Sequence, residues 1–95
     1  MKARIVKHEK VNDELGNTVE IKVWRVPISK DKPHGYKYSL AYIVDDERVI
    51  GYDNHERRGD HRHHGKREEP YRFVNLRKLA RDFYRDILRY KEGTL

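Results

Sequence analysis

Apolar and polar positions alternate most clearly along Tyr36–Val44. Tyr36, Tyr38, Leu40, Tyr42 and Val44 fall on one side, and Lys37, Ser39, Ala41 and Ile43 on the other. A period of two is the mark of a strand. Beyond Lys37 both sides are fairly apolar, which predicts a central strand. Thr18–Ile28 repeats the pattern, with Val19, Ile21 and Val23 opposed by Glu20, Lys22 and Trp24, and with Pro27 at an edge or an end. Ala3–Val11 is seeded by Ile5 and Val6 but crowded by charge on both sides, as edge strands are. Arg48–Asp53 reads as a fourth strand around Val49 and Ile50. Turn formers at 12–17 and at Asp45-Asp46-Glu47 link these runs into an antiparallel meander.

The period changes after Asn75, a residue suited to cap a helix. Leu76, Leu79, Ala80, Phe83, Ile87 and Tyr90 recur at steps of three and four, predicting an amphipathic helix over Leu76–Lys91 with Gly93 just past its end. Arg77, Lys78, Arg81, Arg85 and Arg89 occupy the other side and read as a solvated face. The predicted fold is α+β in a single domain, 1–95. It has an antiparallel sheet of four or five strands, the fifth a short piece at Pro70–Val74, with the C-terminal helix packed on it. The tyrosines at strand spacing, Tyr36, Tyr38 and Tyr42, are assigned to the core. Trp24, on the polar side of its strand, either covers the sheet or meets a partner.

Composition narrows the function. There are no cysteines, which excludes disulfides and thiolate metal sites. No apolar run approaches the ~20 residues of a membrane span, and the N-terminus has no secretory pattern, so a cytoplasmic protein is expected. The net charge of +6 points to a polyanionic partner, nucleic acid or an acidic protein. The excess lies at the two ends of the chain. Residues 1–44 carry nine basic groups against five acidic, and residues 73–95 six against three, whereas 45–72 is nearly balanced at seven against eight.

That balanced region holds the candidate chemistry. Gly51–Tyr71 contains His55, His61, His63 and His64, and almost nothing apolar. A loop of this length without apolar periodicity is either functional or disordered, and the strand-like flanks favour a site. His8 and His34, isolated elsewhere, read as ordinary polar residues. In extended chain His61 and His63 share one side. Imidazoles suit general acid and base work near neutral pH. Metal-free RNA cleavage needs a base for the ribose 2′-OH, an acid for the leaving 5′-oxygen and a cation for the transition state. His61 and His63 can supply the first two. Arg57, Arg58, Arg62 and Arg67 are the candidate substrate-binding cations. Asp53 can orient an imidazole, and Tyr71 can donate a hydrogen bond to a phosphate oxygen. This chemistry requires no cofactor. Asp53, His61 and His63 as a two-histidine, one-carboxylate set for a divalent metal is a second chemical reading.

Arg48–Asn54 (RVIGYDN), His61–His63 (HRH), Gly65 and Pro70–Tyr71, followed by a helix with a central phenylalanine, resemble the TumE-like toxins of type II toxin–antitoxin systems. Between these motifs the chain reads HERRGD, where the family more typically has a linker with glycine and histidine. The resemblance implies a cytoplasmic toxin neutralised by a cognate antitoxin, usually one with a helix-turn-helix. Asp53, His61, His63 and Tyr71 lie in or near the matching positions. The small core also leads us to expect a homodimer. A non-catalytic module that docks an antitoxin or nucleic acid is the competing class.

Overall fold

The computed structural model of the protein describes residues 3–55 and 57–95. Six strands follow in chain order: β1 Arg4–Asn12, β2 Thr18–Arg25, β3 Tyr36–Val44, β4 Glu47–Asp53, β5 His61–His64 and β6 Arg67–Pro70. They form one antiparallel sheet in the same order, and α1, Leu76–Lys91, completes the chain. The meander and the helix are as the periodicity predicts. The strand count is six rather than four or five, because the second half of the histidine-rich stretch folds into the hairpin β5–β6. The expected fifth strand at Pro70–Val74 is instead the end of β6, displaced toward the N-terminus. Glu56, within the same stretch, lies outside the described residues.

Turn chemistry sets the hairpins. Asp45 and Asp46 both have positive φ, 50° and 64°, between the paired Val44 and Glu47. Two such residues in a row make the type I′ turn that matches strand twist. In the β5–β6 hairpin His64 pairs with Arg67, and Gly65 takes φ 59°. Glycine in that left-handed position followed by Lys66 at negative φ fits the type II′ turn.

The register aligns one apolar face across the sheet. Val19 pairs with Tyr42 and Tyr42 with Ile50, while Ile21 pairs with Leu40 and Leu40 with Tyr52. These side chains are buried, together with Leu79, Phe83 and Ile87 of α1. Asn75 caps the helix by accepting from the Lys78 amide at 2.8 Å. Gly93 (φ 74°) closes the other end, its amide bonded to the Tyr90 carbonyl and the Thr94 amide to the Arg89 carbonyl. That pair of bonds satisfies carbonyls the last turn would leave open.

β4 carries one irregularity. Tyr42 pairs with Ile50 but Ile43 with Arg48, so Val49 is an extra residue. Such a bulge re-aims the side chains beyond it. Simple alternation would put Arg48 on the face of Ile50 and Tyr52. The bulge carries it to the opposite face, over Gly51.

Candidate active site on the helix-free face of the sheet

β4 and β5 each present two chemistries, one per face. Gly51 pairs with His63 and Asp53 with His61, so both histidines lie on the face that α1 does not cover. Arg62, opposite Tyr52, and His64, opposite Ile50, lie beneath the helix. On the open face the His63 ring Nε2 is 3.1 Å from the Asp53 carboxylate. Arg48 Nη1 reaches the same carboxylate oxygen at 3.4 Å, and His55 Nε2 stands 3.7 Å from it. Asp53 is buried, His63 is 8% exposed, and His55 is open to solvent.

Asp53 is held in place by its neighbour. Asn54 is buried, its Oδ1 accepting from the Tyr38 amide at 2.9 Å and its Nδ2 donating to the Tyr36 carbonyl at 2.8 Å. The side chain thereby continues the β3–β4 pairing one step past the last strand residue.

His61 is held differently. Its Nδ1 is 3.0 Å from the Gly59 carbonyl, which can only accept, so Nδ1 bears the proton. Nε2 lies 3.8 Å from Glu68. Glu68 takes both oxygens to Arg58 Nη2, at 2.5 and 2.9 Å. That bond, helped by the Arg58 charge and the two nearby imidazoles, holds the Glu68 carboxyl below its usual range against the opposing effect of desolvation. Burial pushes the His63 imidazole below its ordinary value, and the Arg48 charge pushes it further, against the pull of Asp53. The two imidazoles, two residues apart on an extended strand and so about 7 Å apart, thus have different neighbours.

The other residues expected at the site are not brought there. The Tyr71 hydroxyl donates to Asp82 of α1 at 2.7 Å, and its ring meets Tyr52 edge-on, so it belongs to the helix side. Arg62 is also on that side, 3.2 Å from Glu69 and 3.6 Å from the buried Asp86. Arg67 is exposed beside Glu69. Arg57 is exposed, its backbone amide bonded to Asp31. Of the four arginines Arg58 is tied to the histidine cluster, through Glu68. Sequence reading missed Arg48 and Glu68 as members of the cluster. The hairpin turn at Gly65 was the one available signal for Glu68, since it sets Glu68 opposite His63. Arg48 had no such signal, because the bulge that aims it follows from pairing alone. Among the described residues no three histidine, aspartate or glutamate side chains converge as a metal site would require.

A second polar cluster lies under α1. Asp86 is fully buried, takes the Tyr52 hydroxyl at 2.5 Å and stands 3.3 Å from His64 Nε2. Asp82 is buried, which opposes its charge. Hydrogen bonds from Lys78 (2.6 Å) and Tyr71, with the charges of Lys78 and Arg85, outweigh that and hold its carboxyl low. These groups tie α1 to β4–β6 and explain two aspartates on the buried flank of the helix.

A six-stranded meander with one helix, a net positive charge and an imidazole–carboxylate–arginine cluster on the helix-free face defines a small basic α+β protein. The chain belongs to the TumE toxin family: the family model described as Toxin TumE matches residues 2–91, nearly its whole length. It is therefore a toxin of a toxin–antitoxin system, with an antitoxin as its partner. Neither the curated proteins nor the solved structures compared with the chain gave a match. No helix among the described residues is long and apolar enough to cross a membrane.

Proposed function

We propose that this toxin is a metal-independent endoribonuclease acting in the cytoplasm, neutralised by an antitoxin of the helix-turn-helix type. The observation that carries the reading is the pairing of His61 and His63 on one open face, each with its own carboxylate, beside Arg48. His63, its pKa lowered by burial and by Arg48, is neutral at pH 7 and serves as the base. It takes the proton of a ribose 2′-OH, and the 2′-oxygen attacks the adjacent phosphorus. His61 gives a proton from Nε2 to the 5′-oxygen as the P–O5′ bond breaks. The products are a 2′,3′-cyclic phosphate and a 5′-hydroxyl, and the two histidines end with exchanged protonation. Arg48 faces the charge that builds on the phosphoryl oxygens.

The test is cleavage of RNA by the purified protein, with and without EDTA, beside the His61→Ala/His63→Ala double variant. Cleavage that ignores EDTA and vanishes in the variant is expected. EDTA-sensitive cleavage would transfer the cluster to metal chemistry, and intact RNA in every lane would end the nuclease reading. The exposed arginines Arg77, Arg81, Arg85 and Arg89 favour a second reading, non-catalytic docking on nucleic acid. In that case charge reversal on the helix would matter more than loss of the histidines.

A further inference from the structure

The helix-free face does not end at Asp53. Asp53 pairs with Ser39, Ser39 with Lys22, and Lys22 with His8 on β1. Two residues along the same strands, Lys37 pairs with Trp24 and Trp24 with Ile5. Paired residues share a face of the sheet, so Lys22, Trp24 and Lys37 stand on the side of His61 and His63. Strands about 4.8 Å apart put the Lys22 backbone about 10 Å from that of Asp53, with Ser39 between them.

Trp24 is the single tryptophan of the chain. The core takes Val19, Ile21 and Val23 from β2 and leaves Trp24 on the other side, partly exposed. Among the described residues its ring meets no other aromatic ring, and its indole N–H has no hydrogen-bond partner. Ile5, its partner on β1, is 70% exposed. An indole is a wide apolar plate with one donor, and a nucleic-acid base can cover such a plate whatever its sequence, because every base has a π-face.

The charges on the same face suit a polyanion. On β1–β3 it bears Lys10, Lys22 and Lys37 against Glu20, with His8 beside them. Lys22 is 3.8 Å from Glu20, and a solvent-exposed pair holds its cation weakly. Cations that track a backbone, next to an aromatic plate, are what single-stranded nucleic acid requires. A helix of a protein partner is a poorer fit, because its apolar stripe would meet Lys22, Ser39 and Asp53. A duplex is a poorer fit too, because its bases already stack on one another.

We propose that single-stranded RNA crosses the helix-free face from β5 to β2, with a flanking phosphate at Lys22 and a base stacked on Trp24. The place of the scissile phosphate rests on the nuclease reading of His61 and His63; the seat on Trp24 does not.

The test uses a 2′-O-methyl oligoribonucleotide, which lacks the attacking hydroxyl, so binding is read apart from cleavage. With one tryptophan in the chain, emission reports on this seat alone. The single strand should quench it, and the same sequence as a duplex should not. By anisotropy of a labelled probe, Trp24→Ala should bind about tenfold more weakly or worse, Trp24→Phe should keep most of the affinity, and Lys22→Glu should lose affinity several-fold. Unchanged emission of the wild type on adding the single strand would overturn the proposal without recourse to any variant. So would wild-type affinity in Trp24→Ala or Lys22→Glu protein that keeps the wild-type melting temperature. Emission that answers to the purified antitoxin and not to the oligonucleotide would give the face to the antitoxin and overturn it too. Quenching by the single strand, with no cleavage of ordinary RNA, would uphold the seat and end the nuclease reading. Cleavage with unchanged emission would do the reverse.

Discussion

The Arg48 side chain lies across Gly51. A Cβ built on Gly51 would stand 2.8 Å from Arg48 Cδ and 3.0 Å from Nε, so the glycine is the gap through which the guanidinium reaches Asp53. Gly51→Ala should push this flexible side chain aside at a stability cost under about 1 kcal/mol, the ordinary scale for such a change. Growth inhibition should fall as far as in Arg48→Ala. Chemical denaturation beside a toxicity assay checks both halves, and full toxicity in Gly51→Ala would remove Arg48 from the site.

His63 gives the pH dependence its sign. Burial and then the Arg48 charge lower its pKa from the ordinary 6.5. The unfolded chain therefore binds a proton that the folded protein resists. Stability from this group is complete above pH 6.5 and is lost as the pH falls through the lower, folded value. Arg48→Ala should raise the His63 pKa and move the acid limb of activity to higher pH, whereas Asp53→Asn should move it lower. NMR titration of the His63 ring reads both shifts, and equal values in the two variants would refute this assignment of causes.

Asn54 replaces backbone with side chain at the point where β4 ends. Asn54→Ala would leave a buried Tyr38 amide and the Tyr36 carbonyl without their partner, at about 1–3 kcal/mol for the stranded donor. A fall of several degrees in melting temperature is expected, with activity lost in proportion to the displacement of Asp53. A thermal scan that matches the wild type would show that water serves those groups as well.

Tyr71→Phe separates structure from chemistry. Burial, then the hydrogen bond to Asp82, pushes the Tyr71 hydroxyl well above its ordinary pKa, so it stays protonated and bound to the helix. Its removal should cost about 1.5–3 kcal/mol, as for other bonds to a charged group. Cleavage by the folded fraction should be unchanged. Unchanged stability with lost activity would return Tyr71 to the catalytic group.

The core was legible because it is periodic. Val19, Ile21, Val23, Tyr38, Leu40 and Tyr42 are the buried face that alternation predicts, and Leu79, Phe83 and Ile87 the buried stripe of the helix. The β5–β6 hairpin was not legible, because His61–His64 and Arg67–Pro70 hold no apolar alternation. Its pairing is written in one glycine turn and in the ion pairs Arg58–Glu68 and Arg62–Glu69. Arg48 was hidden for another reason. A bulge is a mismatch between two strands, and neither strand alone records it.

The alternation along β5 makes the reading frame of that strand a hidden switch. Its odd-numbered residues lie on the face away from the helix and its even-numbered ones on the face toward it. A single residue gained or lost before His61, carrying β5 one step along β4, would bring Arg62 and His64 outward and bury His61 and His63 against Asp86 and Tyr52. The altered chain would keep its charge, its strands and its helix, yet offer the cell an inert surface. On the proposed function, that one-residue slip would take the imidazoles away from Asp53 and Arg48.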